Sequence, residues 1–200
     1  MIFTQTPFNF LHSLNNLLLN LELYSENQPM KYKASLDLPS KIITVGICFF
    51  GIIIFIAAIQ EFNSSSHTLT SSFSIILVTL FFVLLILICY LFSTNFYELE
   101  NDFLIIHRPV GSVNFPISEI KEIIKMNPGT MIGGIRLFGV GGLFGYYGKY
   151  YNFKLGHLTL YTTQKRNRIL MTMITGKKIV ISPDDLSIIA EIIKRKENKY

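Results

Sequence analysis

Histidine, serine, cysteine, glycine and lysine are the residues of this 200-residue chain that could carry chemistry, and their spacing sorts them. The four histidines, His12, His67, His107 and His157, are scattered, and no spacing sets two on one helix face to hold a metal. Serine and aspartate occur, yet no G-x-S-x-G elbow marks a nucleophile. Glu119 and Glu122 could meet on a helical turn, where a solvated face is their ordinary role. No catalytic constellation, cofactor fingerprint or metal site is legible, so the chain reads as a non-enzyme. Cys48 and Cys89 lie inside apolar runs, where a thiol behaves as a small hydrophobe and not as part of a disulfide framework.

Glycine is the next candidate. Nine of the thirteen glycines fall between Met126 and Gly156, interleaved with Phe138, Phe144, Tyr146, Tyr147, Tyr150, Tyr151 and Phe153. A phosphate-cradling P-loop needs G-x-x-x-x-G-K-[ST]; here Gly148-Lys149 is followed by Tyr150, and Leu143 stands where the first glycine belongs. The dinucleotide pattern fails as well, because Gly139-Val140-Gly141 leads to Phe144 at its last position. Two readings stay open. In one, a flexible loop lays Phe144, Tyr146, Tyr147, Tyr150 and Tyr151 into a lipid headgroup zone, since tyrosines favour a boundary that is apolar on one side and wet on the other. In the other, the loop folds those rings into its own domain.

The remaining candidate site is basic. Lys165, Arg166 and Arg168 cluster at one turn, Lys177 and Lys178 sit on the adjoining segment, and Lys149 and Lys154 end the glycine-rich stretch. Each such cation held near an anionic leaflet contributes roughly 1 kcal/mol. The competing reading is a solvated turn that keeps the chain soluble. Residues 95–200 carry most of the basic surplus, and no nucleic-acid motif accompanies it, so lipid headgroups are the expected anionic surface.

Two apolar runs must position these residues. Ile42 to Ile59 and Phe73 to Phe92 contain no charged residue, and each is close to the ~20 residues a helix needs to cross a bilayer. A globular helix needs a polar face, which neither run has. They carry no ionisable residue at depth, so they read as an anchor and not as a transport pathway. The intervening segment, Gln60 to Ser72, has no Lys or Arg, whereas Lys31, Lys33 and Lys41 precede the pair and Arg108, Lys121 and Lys125 follow it. The positive-inside rule then places both termini in the cytoplasm. Residues 1–40 are expected as an N-terminal segment, 41–93 as the helical hairpin and 94–200 as a cytoplasmic domain. Within the first segment, Phe10, Leu11, Leu14, Leu17, Leu18 and Leu21 fall at helical spacing. That stretch reads as a short interfacial helix, or else Met30 is the start and the residues before it are disordered or never made.

The domain reads as a run of strands closed by one helix. Phe96 to Glu100 alternates, Asn101-Asp102 turns, and Phe103 to Arg108 completes a hairpin. Val113 to Pro116, Ile117 to Lys125, His157 to Thr163, Arg168 to Ile174 and Lys177 to Ile181 follow as strands. The spacing predicts a C-terminal helix capped by Ser182, with Pro183 first and Leu186, Ile189, Ala190 and Ile193 as its apolar stripe. This is an α+β arrangement.

The layout resembles the bacterial pleckstrin-homology (PH)-like membrane proteins, in which a transmembrane helix pair leads into a small β-domain with a C-terminal capping helix. The residues that carry the likeness are the two runs, Tyr97-Glu98-Leu99-Glu100, Pro116-Ile117-Ser118-Glu119-Ile120, the stretch RLFGVGGLFGYYGKYYN from Arg136 to Asn152, and GKKIVISPDD from Gly176 to Asp185. The resemblance covers about 30–196. It implies a two-helix hairpin followed by a PH-like antiparallel β-barrel or roll, in the bacterial inner membrane. It implies a non-enzymatic module without metal, cofactor or nucleic acid, whose partners are the lipid bilayer and a protein or a second copy of itself. An alternative role is binding anionic lipid headgroups. PH domains that bind inositol lipids use basic residues near the first hairpin, where this chain has Glu98, Glu100 and Asp102.

Overall fold

The computed structural model describes residue 17 and residues 28–63, 69–127, 129–131 and 134–197. The interfacial-helix reading of Phe10 to Leu21 therefore lies outside the described residues, apart from Leu17. Helix α1 (Leu38–Asn63) encloses the first apolar run, and α2 (Leu69–Leu91) covers the second up to its last residue, Phe92. Within them, Leu38–Glu61 and Phe73–Leu91 are long and apolar enough to cross a membrane. Gly51 lets the helices approach: a Cβ there would stand 2.9 Å from the Phe82 ring, which also meets Phe50 edge-on at 6.1 Å. Asp37 caps α1, its carboxylate accepting the Ser40 N–H at 3.0 Å.

Two sheets follow. The first has the order β1-β2-β3-β4: Met30–Lys33, Phe96–Glu100, Phe103–His107 and Ser112–Pro116. A short 3-10 turn, Ile117–Glu119, leads into the second. Its strands are β5 (Ile120–Lys125), β6 (Ile135–Gly142), β7 (Gly145–Asn152), β8 (Gly156–Thr162), β9 (Ile169–Met173) and β10 (Lys178–Ile181), in the order β5-β9-β10-β8-β7-β6. The α+β layout stands, with two corrections. The sheets do not close into a barrel, and β8 pairs with β10 in parallel, so the strands are not all antiparallel.

Strand β1 lies in the segment before α1, which the sequence reading placed outside the domain. Lys33 pairs with Phe96 and Met30 with Leu99, so the two helices leave from neighbouring strands of one sheet. The chain between β1 and α1 is tied down as well. Ser35 donates its N–H and hydroxyl to the Asp184 carboxylate at 3.1 and 2.5 Å, and the Asp184 N–H donates to Lys33 O.

The main core lies between the sheets. Tyr97, Leu99, Leu104 and Ile106 of the first meet Ile169, Met171, Ile179 and Ile181 of the second. The helix α3 (Ser187–Glu197) closes one end with Ile188 and Ile192 buried, while Leu186 and Ile189 are half-buried beside the core. This face is rotated from the expected stripe, since Ile193 is exposed. Ser182 is not the cap. It is buried before the helix, where its hydroxyl accepts the Thr163 N–H at 2.9 Å and its own N–H donates to the Tyr97 hydroxyl at 3.0 Å.

Candidate functional site

Met126 to Gly156 is not a loop. Its centre is the β6–β7 hairpin, with Gly142 opposite Gly145 at the tip. Alternating apolar residues usually announce a strand, but here glycine fills alternate places and the backbone uses its freedom. Gly139 and Gly148 face each other at φ 124° and 118°, and a Cβ on either would fall 2.2 or 2.3 Å from a carbonyl oxygen of the other strand. Only glycine fits such a crossing.

The tip sits beside the helix pair. A Cβ on Gly142 would stand 2.6 Å from the Ile43 side chain of α1. Phe144 takes φ 55°, a left-handed backbone that costs a bulky residue about 1–3 kcal/mol. Its surroundings hold it there: its N–H donates to Thr44 Oγ1 at 3.0 Å, and its ring meets Tyr90 of α2 edge-on at 5.5 Å. The Tyr147 hydroxyl donates to the Cys89 carbonyl of α2. Burial pushes that hydroxyl far above its ordinary acidity range, so it stays a donor. The hairpin thus touches both helices at the ends where they join the domain.

Around this helix-proximal end Asp37 is the hub. Its carboxylate accepts the Ser40 N–H, the Lys165 N–H at 3.2 Å and the Tyr146 hydroxyl at 3.3 Å. Lys165 Nζ and the Arg168 guanidinium stand over the Tyr146 ring, 5.1 and 5.4 Å from its centre. Arg168 is only 8 % exposed. Burial pulls its pKa down, opposed by Tyr146, Tyr150 and Asp37. Arg136 lies across the hairpin from Tyr150, its guanidinium in the space Gly141 leaves by lacking a side chain. On the other flank, Arg108 covers the exposed Phe92 ring at the end of α2, 5.6 Å from its centre.

The second sheet carries another basic group at its far end. Lys149 on β7, opposite Thr159, lines a cavity of about 290 Å³ with His157, Lys177 and Lys178. Lys178 donates to the Leu155 carbonyl at 2.7 Å, and Lys177 stands 5.8 Å from the centre of the Phe115 ring. Lys154, in the turn between β7 and β8, is exposed and donates its N–H to Asn152 Oδ1 at 2.9 Å.

The seven basic residues singled out in the sequence therefore divide. Lys165, Arg166 and Arg168 lie on the turn beside α1, with Arg166 exposed. Lys149, Lys154, Lys177 and Lys178 lie at the opposite end. The five aromatics divide too: Phe144, Tyr146 and Tyr147 gather at the helix pair and Tyr150 adjoins Arg136. Tyr151 points away from that group, meeting Phe153 at 5.8 Å and His157 at 5.2 Å. Sequence reasoning missed Asp37 and Arg136. Asp37-Leu38-Pro39 is a helix-start signature that would have found the first. Arg136 had no signal, because its place is created by a glycine five residues on.

A comparison with family models matches residues 96–197 to the Bacterial PH domain family. No curated protein and no solved structure matches the chain.

Proposed function

The chain belongs to the bacterial PH domain family, and from that premise we propose that it is a membrane-anchored, non-enzymatic module that docks a protein at the bilayer surface. The helix pair is the anchor. The absence of basic residues between the helices supports both termini lying on the cytoplasmic side of the inner membrane.

One observation carries the docking role. Strand β6 is an edge of the second sheet, and Ile135, Leu137 and Phe138 on it are 50, 54 and 77 % exposed. Edge strands are normally blunted with charge, because an open edge with apolar side chains invites pairing with another chain. The open main-chain N–H and C=O groups of such an edge call for a ladder partner, which a lipid cannot supply. The partner this edge fits is an extended segment of another protein or a second copy of this chain.

A photo-crosslinking amino acid at position 138 of the full chain in membranes tests this. The expected result is one discrete protein adduct, lost when Leu137→Asp is added. Adducts to lipid alone, or none, would overturn it.

A second reading, contact with anionic headgroups, is favoured by a different observation: the buried Nε of Arg168, beside α1, has no acceptor.

A further inference from the structure

Two arginines of this domain are equally buried and differently treated. Arg195 on α3 is 7 % exposed, and its guanidinium bonds the Glu191 carboxylate at 2.8 Å, the Asn101 carbonyl at 2.9 Å and the Gln28 carbonyl at 3.5 Å. Arg168 is 8 % exposed, and its Nε is buried with no acceptor. The Tyr146 ring stands beneath the guanidinium, its centre 5.4 Å away. An arginine keeps its charge in a protein, so the Nε–H is desolvated with no acceptor to compensate it. Asp37 is already engaged by the Ser40 and Lys165 N–H groups and the Tyr146 hydroxyl, and forms no ion pair with Arg168 among the described residues.

The surroundings supply more cations. Lys165 Nζ shares the Tyr146 ring with Arg168. Arg136 approaches the same ring across the hairpin: Gly141 pairs with Tyr146, and Arg136 Nη1 and the Tyr150 hydroxyl lie 2.7 and 3.5 Å from where a Cβ on Gly141 would stand.

We propose that Arg136, Lys165 and Arg168 form a binding site for the phosphate of an anionic lipid headgroup, in the leaflet on the domain's side of the membrane. Phosphate suits the residues present, because arginine offers paired donors that match its oxygens. A lipid source suits the depth. Asp37, which holds the Lys165 N–H, precedes Lys41 by four residues, about 6 Å of helix rise, and the charge-free span begins after Lys41. That is headgroup depth. The Tyr146 ring bridges this level to Arg168.

The proposal rests on the reading of the helix pair as membrane-spanning, and its test separates the two. The full chain is reconstituted in nanodiscs of phosphatidylcholine, with or without phosphatidylglycerol, and the thermal midpoint of the domain is measured. Phosphatidylglycerol should raise the wild-type midpoint by about 5 °C, because a ligand bound only by the folded state stabilises it. Arg168→Met should abolish that rise, because it removes the buried donor. Arg136→Gln with Lys165→Gln, both at exposed positions, should diminish the rise whether or not the Met variant folds. A rise that survives these substitutions would overturn the site while leaving the anchor intact. A chain that does not insert into the discs would overturn the anchor. The same rise produced by inorganic phosphate in neutral discs would overturn the lipid source, and no rise at all would overturn the proposal.

Discussion

Arg168 and Lys177 occupy opposite ends of the same β-sheet, one just before β9 and the other just before β10, and their surroundings could hardly differ more. Arg168 lies beside the start of α1, buried under the hairpin rings with a bare Nε. Lys177 is exposed in a turn at the other end, near the rim of an open cavity. The comparison teaches that sequence alone does not tell the two apart: Arg168 is enclosed beside tyrosine rings, and Lys177 is exposed charge.

Five substitutions would break or sharpen that contrast. Arg168→Glu should be the most damaging, at about 3–5 kcal/mol, because it replaces a buried cation by a second carboxylate near Asp37. Chemical denaturation of the reconstituted chain reads this directly. Gly139→Val should cost about 3 kcal/mol or more, since its side chain would collide with the Tyr147 carbonyl and demand a φ valine avoids. Hydrogen exchange should show the loss in β6 and β7, with β2 and β3 still protected. Asp37→Ala removes the α1 cap and the acceptor for Tyr146 and Lys165, and should cost about 1–2 kcal/mol in the same denaturation assay.

Tyr147→Phe should cost about 1 kcal/mol at neutral pH, the ordinary size of one hydrogen bond. Its alkaline behaviour is more telling. Burial raises the folded-state pKa of the Tyr147 and Tyr97 hydroxyls above the ordinary 10.0. Their stabilisation is therefore complete below about pH 10 and lost as pH rises from there toward the folded values. Thermal midpoints measured from pH 8 upward should fall beyond pH 10 in the native chain and fall less in Tyr147→Phe. Lys177→Glu, at the far end, should stay within about 0.5 kcal/mol. A loss comparable to that of Arg168→Glu would erase the distinction between the two ends.

Much of the fold could be read from side-chain alternation. Phe96 to Glu100, Phe103 to His107 and Lys178 to Ile181 place an apolar residue at the positions that face the core, and the spans of α1 and α2 follow from unbroken hydropathy. The β6–β7 hairpin escaped the same reading because glycine has no side chain to alternate, and what specifies this hairpin is where a Cβ cannot go. Strand β1 escaped for another reason: in Met-Lys-Tyr-Lys only Tyr32 is buried, and its pairing with β2 spans both helices. The basic residues were visible as a composition but not as two groups. Lys165 and Arg168 are separated from Lys177 and Lys178 only by β9, a strand long enough to carry the chain from one end of the sheet to the other.

The central claim is geometric: with the helix pair as a membrane anchor, the tip of the glycine-rich hairpin is expected at the bilayer surface and its other end in water. The chain contains no tryptophan, so a single one introduced at either end is an unambiguous reporter. Phe144→Trp places it at the tip against Tyr90, and Phe153→Trp at the exposed far turn. With the full chain in bilayers carrying a quencher at the level of the lipid headgroups, strong quenching at position 144 and little at 153 is the expected result. Equal quenching at the two positions, or stronger quenching at 153, would contradict it.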